Sequence, residues 1–182
     1  MQSRVFHMCV PLAEGTDRLF PLEDLATLAP NVYEAAAAKY KDYSKRKALR
    51  DTAMPGLDKK WSQVVFLTPV DPRAIWRRWL DRTGEKLPPV KFWAIDPKGI
   101  DERSVLLERT VSCKGAPIDP REVTRFNRES FETVVKLPAA SEEWLDALAN
   151  SGRKGAWFNG QPHVLVPAPV SLEGAEVIDW SE

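Results

Sequence analysis

The chain has 182 residues, 43% of them hydrophobic, with seven tryptophans, which suits one domain of roughly 100–200 residues with a sizeable core. Lys+Arg and Asp+Glu number 26 each, and a net charge of zero argues against a globally basic nucleic-acid binder. Two cysteines, Cys9 and Cys113, and two histidines, His7 and His163, make neither a metal-ligand spacing nor a disulfide framework. No stretch has the ~20 apolar residues of a membrane span or the apolar centre of a secretory leader. The expectation is a soluble cytoplasmic protein with reduced thiols, forming a single domain over 1–182.

In chain order, "RVFHMCV", Arg4 to Val10, predicts a first strand. Asn31 and Glu34 read as a capping box that opens a helix to about Tyr43 through an alanine-rich run of good helix formers. A polar connector, "SKRKALRDTAMPGLDKKW", follows. Between Lys39 and Lys60 lie eight Lys/Arg against three Asp, either a solvated face or a contact surface for phosphates. "VVFLTP", Val64 to Pro69, is a short strand.

A device then recurs: Asp71-Pro72-Arg73, Asp96-Pro97-Lys98 and Asp119-Pro120-Arg121. Aspartate suits a helix cap and proline the first helical position. The first opens a helix with Ile75, Trp76, Trp79 and Leu80 on one face. The second follows the strand "VKFWAID", and the third opens "PREVTRFNRESF" as a helix. In that segment Asn127, Arg128 and Glu129 form a polar cluster at an exposed end. "FETVVKLP" predicts a strand with Phe131, Val134 and Leu137 inward. Ser141 caps a helix that ends just before Gly152. "HVLVP" and "EVIDW" supply the last strands. Strands outnumber helices and few helices lie between strands, so the fold class is α+β with a partly antiparallel sheet rather than a doubly wound one.

No phosphate-binding loop, dinucleotide glycine fingerprint or nucleophile elbow is present. The order of the remaining pieces resembles the ADP-ribosyltransferase fold, and most closely the DarT-type DNA ADP-ribosyltransferases. "RVFHM" resembles that fold's histidine strand. "PGLDKKWSQVVFLTPVDPRAIW" and "VKFWAIDPKGI" are similar to its following strands and turns, and "PHVLVPAPVSLEGAEVI" to its late segment.

The resemblance implies split antiparallel sheets with flanking helices, NAD as substrate, and nucleic acid or a protein as acceptor. It implies that His7 and Cys9 contact NAD, that Tyr40 or Tyr43 stacks on nicotinamide, and that Arg46 or Arg50 clamps the pyrophosphate. The chain departs where the family carries a catalytic glutamate, since that position is His163, and where a hydroxyl residue is usual, since that position is Cys9. An imidazole cannot supply a carboxylate's negative charge to an oxocarbenium-like transition state, although a neutral one can act as a base. Glu173 or Glu176 substitutes only if the last turn folds back into the cleft. The expectation is therefore a weak or degenerate transferase that a glutamate at 163 would improve. The alternative is a non-catalytic nucleotide- or protein-binding domain of the same fold. Both histidines also suit plain packing roles, and Arg46 and Arg50 plain surface charge.

Overall fold

The computed structural model describes residues 2–38, 48–108 and 116–182. Among them two antiparallel sheets dominate. The first is three-stranded: β1 (Val5–Met8), β6 (Lys91–Ile95) and β11 (Glu176–Asp179), with β6 central. The second is four-stranded, in the order β5 (Val65–Leu67), β9 (His163–Val166), β7 (Val105–Leu107), β8 (Val123–Arg125). Two minimal ribbons complete the strands: β2 (Arg18–Leu19) with β10 (Val170–Ser171), and β3 (Ala53–Met54) with β4 (Lys59–Lys60). With helix at 31% and strand at 22% the class is α+β. A doubly wound sheet is excluded for the described residues, because every strand pair is antiparallel.

Among the described residues one backbone bridge links the two sheets. Phe6 and Thr68 exchange both backbone hydrogen bonds at 2.9 Å, so β1 continues the edge of β5 while belonging to the other sheet. Strand periodicity explains the layering. Val5 and Ile95 turn inward to a core shared with Leu67, Val164 and Val166. Phe6, Phe92 and Ala94 turn the other way, against Ile75, Trp79, Leu145 and Leu148. In the second sheet Val105, Leu107 and Leu165 face a third group with Met54, Trp61 and Ile118. "HVLV" is an almost unbroken apolar run because β9 is covered on both faces.

Four helices are described: α1 (Leu22–Leu28), α2 (Pro30–Ala38), α3 (Arg73–Thr83) and α4 (Ala139–Ser151). In α3, Ile75 and Trp79 are buried, and Asp71 Oδ1 accepts the Arg73 N–H at 2.9 Å. The same aspartate geometry recurs at Lys98 (3.0 Å) and Arg121 (2.9 Å), so the repeated Asp-Pro device is one repeated turn. Only at α3 does a full helix follow. The other two give single 3₁₀ turns, Pro97–Gly99 and Pro120–Glu122.

Several expectations are corrected. "PREVTRFNRESF" is not a helix: its 3₁₀ turn runs into β8, and Asn127 Oδ1 then accepts the N–H groups of Glu129 and Ser130 in a turn. "FETVVKLP" forms no strand, only a single bridge from Val134 to Val70. Asn31 does not cap α2; the helix begins one residue earlier, at Pro30, where proline's fixed φ suits the first position. Its expected end at Tyr43 lies outside the described residues. α4 likewise starts before Ser141, at Ala139, and ends as expected at Gly152, whose φ is 65°. α1 and the β3–β4 hairpin were not legible as elements in the sequence.

Candidate functional site

The seam between the sheets places His7 beside a cavity of about 480 Å³, within the 300–1,000 Å³ usual for small-molecule sites. Three parts of the chain build it. The floor is His7 with Val64, just before β5, and Val65 and Phe66 of β5. One side is the loop Val10 to Ala13, which turns back through the 3.2 Å bond from Thr16 N–H to Ala13 carbonyl and Gly15 at φ 70°. The roof is the α1–α2 pair: Leu22 and Leu25 from one helix, and Asn31, Val32, Ala35 and Ala36 from the other. These recur at three- and four-residue spacing, the face of a helix. The small side chains of Ala35 and Ala36 leave the space that larger residues would fill.

The wall is apolar apart from His7, Arg18 and Asn31. Trp61 and Phe66 stand together in it, ring centroids 4.4 Å apart and planes tilted by 38°, a surface suited to a flat ring. His7 Nδ1 lies 2.6 Å from the Met8 carbonyl oxygen. A carbonyl oxygen only accepts, so Nδ1 donates in this contact. The imidazole also stacks on Trp93, its cross-strand partner, at 6.1 Å and 30°. Among the described residues no carboxylate lines the cavity.

The other expected site residues lie as follows. Tyr40, Tyr43 and Arg46 fall outside the described residues. Cys9 follows β1, its N–H bonded to the Lys91 carbonyl at 2.9 Å, but does not line the cavity. Burial pushes its thiol up, with the Lys91 ammonium opposing, so it is a poor nucleophile at neutral pH. Arg50 is also off the lining. Its Nη2 donates to Tyr33 Oη at 2.8 Å and its guanidinium lies 5.7 Å from that ring's centroid, so it braces α2 from behind. His163 sits at the start of β9, opposite Leu107, edge-on to Phe66 and not on the lining. Glu173 is exposed beyond β10, its N–H bonded to Ser171 Oγ at 3.1 Å. Glu176 pairs with Arg4 at 3.0 Å.

Sequence reasoning missed Arg18, Asn31, Trp61 and Phe66 as neighbours of His7. Only the folded chain brings them to one cavity.

A second cavity of about 390 Å³ lies at the far edge of the four-stranded sheet, between the Gly56 turn and β7–β8. Among the described residues no cluster of three His, Cys, Asp or Glu could hold a metal ion, and no helix is long and apolar enough to cross a membrane. No family model, curated protein or solved structure matches the chain.

Proposed function

We propose that the chain is an NAD-binding protein of ADP-ribosyltransferase type with a weak or degenerate catalytic site. The observation that carries the proposal is the cavity at the seam of two small antiparallel sheets, with His7 in its floor. Split antiparallel sheets with a cleft between them, and a histidine strand that contacts NAD, are what the resemblance implies. The lining suits the ligand chemically. Paired aromatics offer a face for a heterocycle, and the lining adds an imidazole and an arginine, side chains suited to a ribose and a phosphate.

The lining also argues for weak chemistry. Breaking the nicotinamide–ribose bond builds positive charge on the ribose, and a nearby carboxylate stabilises it. No described carboxylate reaches the wall, and His163 is one ring removed from it. That favours, as the second reading, a domain that binds a nucleotide without turning it over.

Calorimetric titration of the full chain with NAD tests the first part. Saturable binding that weakens in His7→Ala is expected, and no binding to wild type defeats the proposal. Incubation of labelled NAD with DNA, RNA and protein acceptors separates the two readings. Slow transfer supports a weak enzyme with nucleic acid or protein as acceptor, and tight binding without transfer supports the non-catalytic domain.

A further inference from the structure

Arg18 occupies an unusual position. It is carried on β2, a two-residue strand held to β10 with Arg18 opposite Ser171 and Leu19 opposite Val170. Leu19 is 4% exposed and anchors the ribbon in the core, and Leu172 N–H bonds the Asp17 carbonyl at 2.8 Å beside it. The backbone is thus fixed while the Arg18 side chain faces out along the cavity rim.

Arg18 is the one described arginine on the cavity lining, and most of the others, Arg77 and Arg125 apart, are engaged elsewhere. Arg4 pairs with Glu176, Arg78 with Asp146, Arg103 with Asp101 and Arg121 with Asp119, and Arg50 is held by Tyr33. Arg18 makes no hydrogen bond or ion pair with any described residue, so its fork of donors remains available. No described carboxylate on the lining neutralises it. The remaining wall is too apolar to hold a phosphate, which would lose its hydration without a partner.

Resting on the nucleotide assignment above, we infer that Arg18, rather than Arg50, anchors the ligand's pyrophosphate and sets the cavity's preference for phosphorylated ligands. The Trp61–Phe66 pair takes a flat ring deeper in the cavity, and Arg18 meets the phosphates at the rim. An uncharged nucleoside gains the first contact only.

The test is calorimetry on the full chain with four probes: NAD, ADP-ribose, adenosine and nicotinamide. Arg18→Ala is expected to weaken NAD and ADP-ribose by about tenfold or more, the scale of a hydrogen bond to a charged group, while adenosine binding stays as in wild type. Arg18→Lys restores part of the loss, because it keeps the charge without the bidentate fork. Because Arg18 is exposed, the urea midpoint of both variants should match wild type. NAD binding unchanged in Arg18→Ala overturns the anchor and leaves the nucleotide reading standing. Equal loss for adenosine also overturns it, since Arg18 would then shape the wall rather than hold phosphate. A wild type that binds none of the four probes defeats the nucleotide reading itself, and the anchor with it.

Discussion

His163 packs edge-on against Phe66, ring centroids 5.9 Å apart and planes at 79°, and Phe66 is part of the cavity wall to which His7 also belongs. The two histidines therefore stand differently toward the cavity: His7 is on its lining and His163 reaches it only through Phe66. His163 supports the wall, whereas His7 touches the space.

This relationship predicts different outcomes at the two histidines. His163→Ala should leave NAD affinity within about twofold, the usual scale for residues outside a binding surface. His7→Ala should lower it by about 1 kcal/mol, the scale of one wall contact. His163→Glu alone should give no gain in transfer, because position 163 is off the cavity lining. Radiolabelled-NAD assays on the single variants check this, and a gain from His163→Glu alone would show that position 163 reaches the cavity.

A second expectation concerns the polar link beneath the seam. Thr68 Oγ1 donates to Gln161 Oε1 at 3.1 Å and accepts the Val70 N–H at 3.1 Å. Gln161 Nε2 in turn donates to Ser141 Oγ at 3.4 Å, and Gln161 is only 1% exposed. Thr68→Val strands both a backbone donor and a side-chain acceptor out of reach of water. It should cost about 1–3 kcal/mol, read from the urea midpoint at unchanged m-value. A loss under half a kcal/mol would mean that water enters the link.

Gly160 sets a third expectation. Its φ is 76°, and a Cβ there would stand 2.6 Å from the Ala140 carbonyl carbon and 2.7 Å from the Ser141 nitrogen. Those atoms are backbone at the start of α4 and cannot swing aside. Gly160→Ala should therefore lose about 1–3 kcal/mol of stability and disturb the entry to β9. Gly84→Ala, also at positive φ (71°) but with nothing within 4 Å, should lose less. Comparable losses in chemical denaturation would refute the steric part.

The strands that place the site were readable because burial wrote their pattern. "RVFHMCV" buries Val5 and Phe6 and "HVLV" buries Val164, Leu165 and Val166, and the Asp-Pro turns carry their own local geometry. "FETVVKLP" misled because its apolar residues serve separate ends: Phe131 packs on one core and Leu137 on another, with Val134 37% exposed between them. Alternation looks the same whether a segment pairs or merely spans two cores. Ser141 has a cap's sequence signature, but Pro138 already sets the entry to α4, and its hydroxyl meets Gln161 instead. The cavity was harder still. The alanine run in α2 reads as helix propensity, yet its use is the space it leaves. Arg18 and Phe66 lie 48 positions apart in the chain, on strands that do not pair, yet line one cavity. Arg50 was legible as a candidate cation, but nothing in the sequence reveals that Tyr33 holds it.

The last expectation is a titration. Asp119 accepts from the Arg121 side chain at Nε and Nη2, and from the Arg121 backbone N–H at 2.9 Å. The guanidinium bonds first, and the backbone bond second, hold its carboxyl down at about 2, against an ordinary value of 3.8. A depressed carboxyl stabilises the fold above its unfolded value, and that contribution is lost as pH falls through the folded value. The turn before β8 should therefore hold from neutral pH down past 3.8 and open only as pH approaches about 2. Arg121→Ala should move the Asp119 midpoint upward, yet not fully to the ordinary value, because the backbone bond at position 121 remains. Moderate salt should produce a smaller upward shift, since this pair is exposed and screened. Carbon-13 NMR of the side-chain carboxyl reads the midpoint directly. A wild-type midpoint near 3.8 would show that the Asp119–Arg121 pair does not persist in solution, leaving the turn to Pro120 alone.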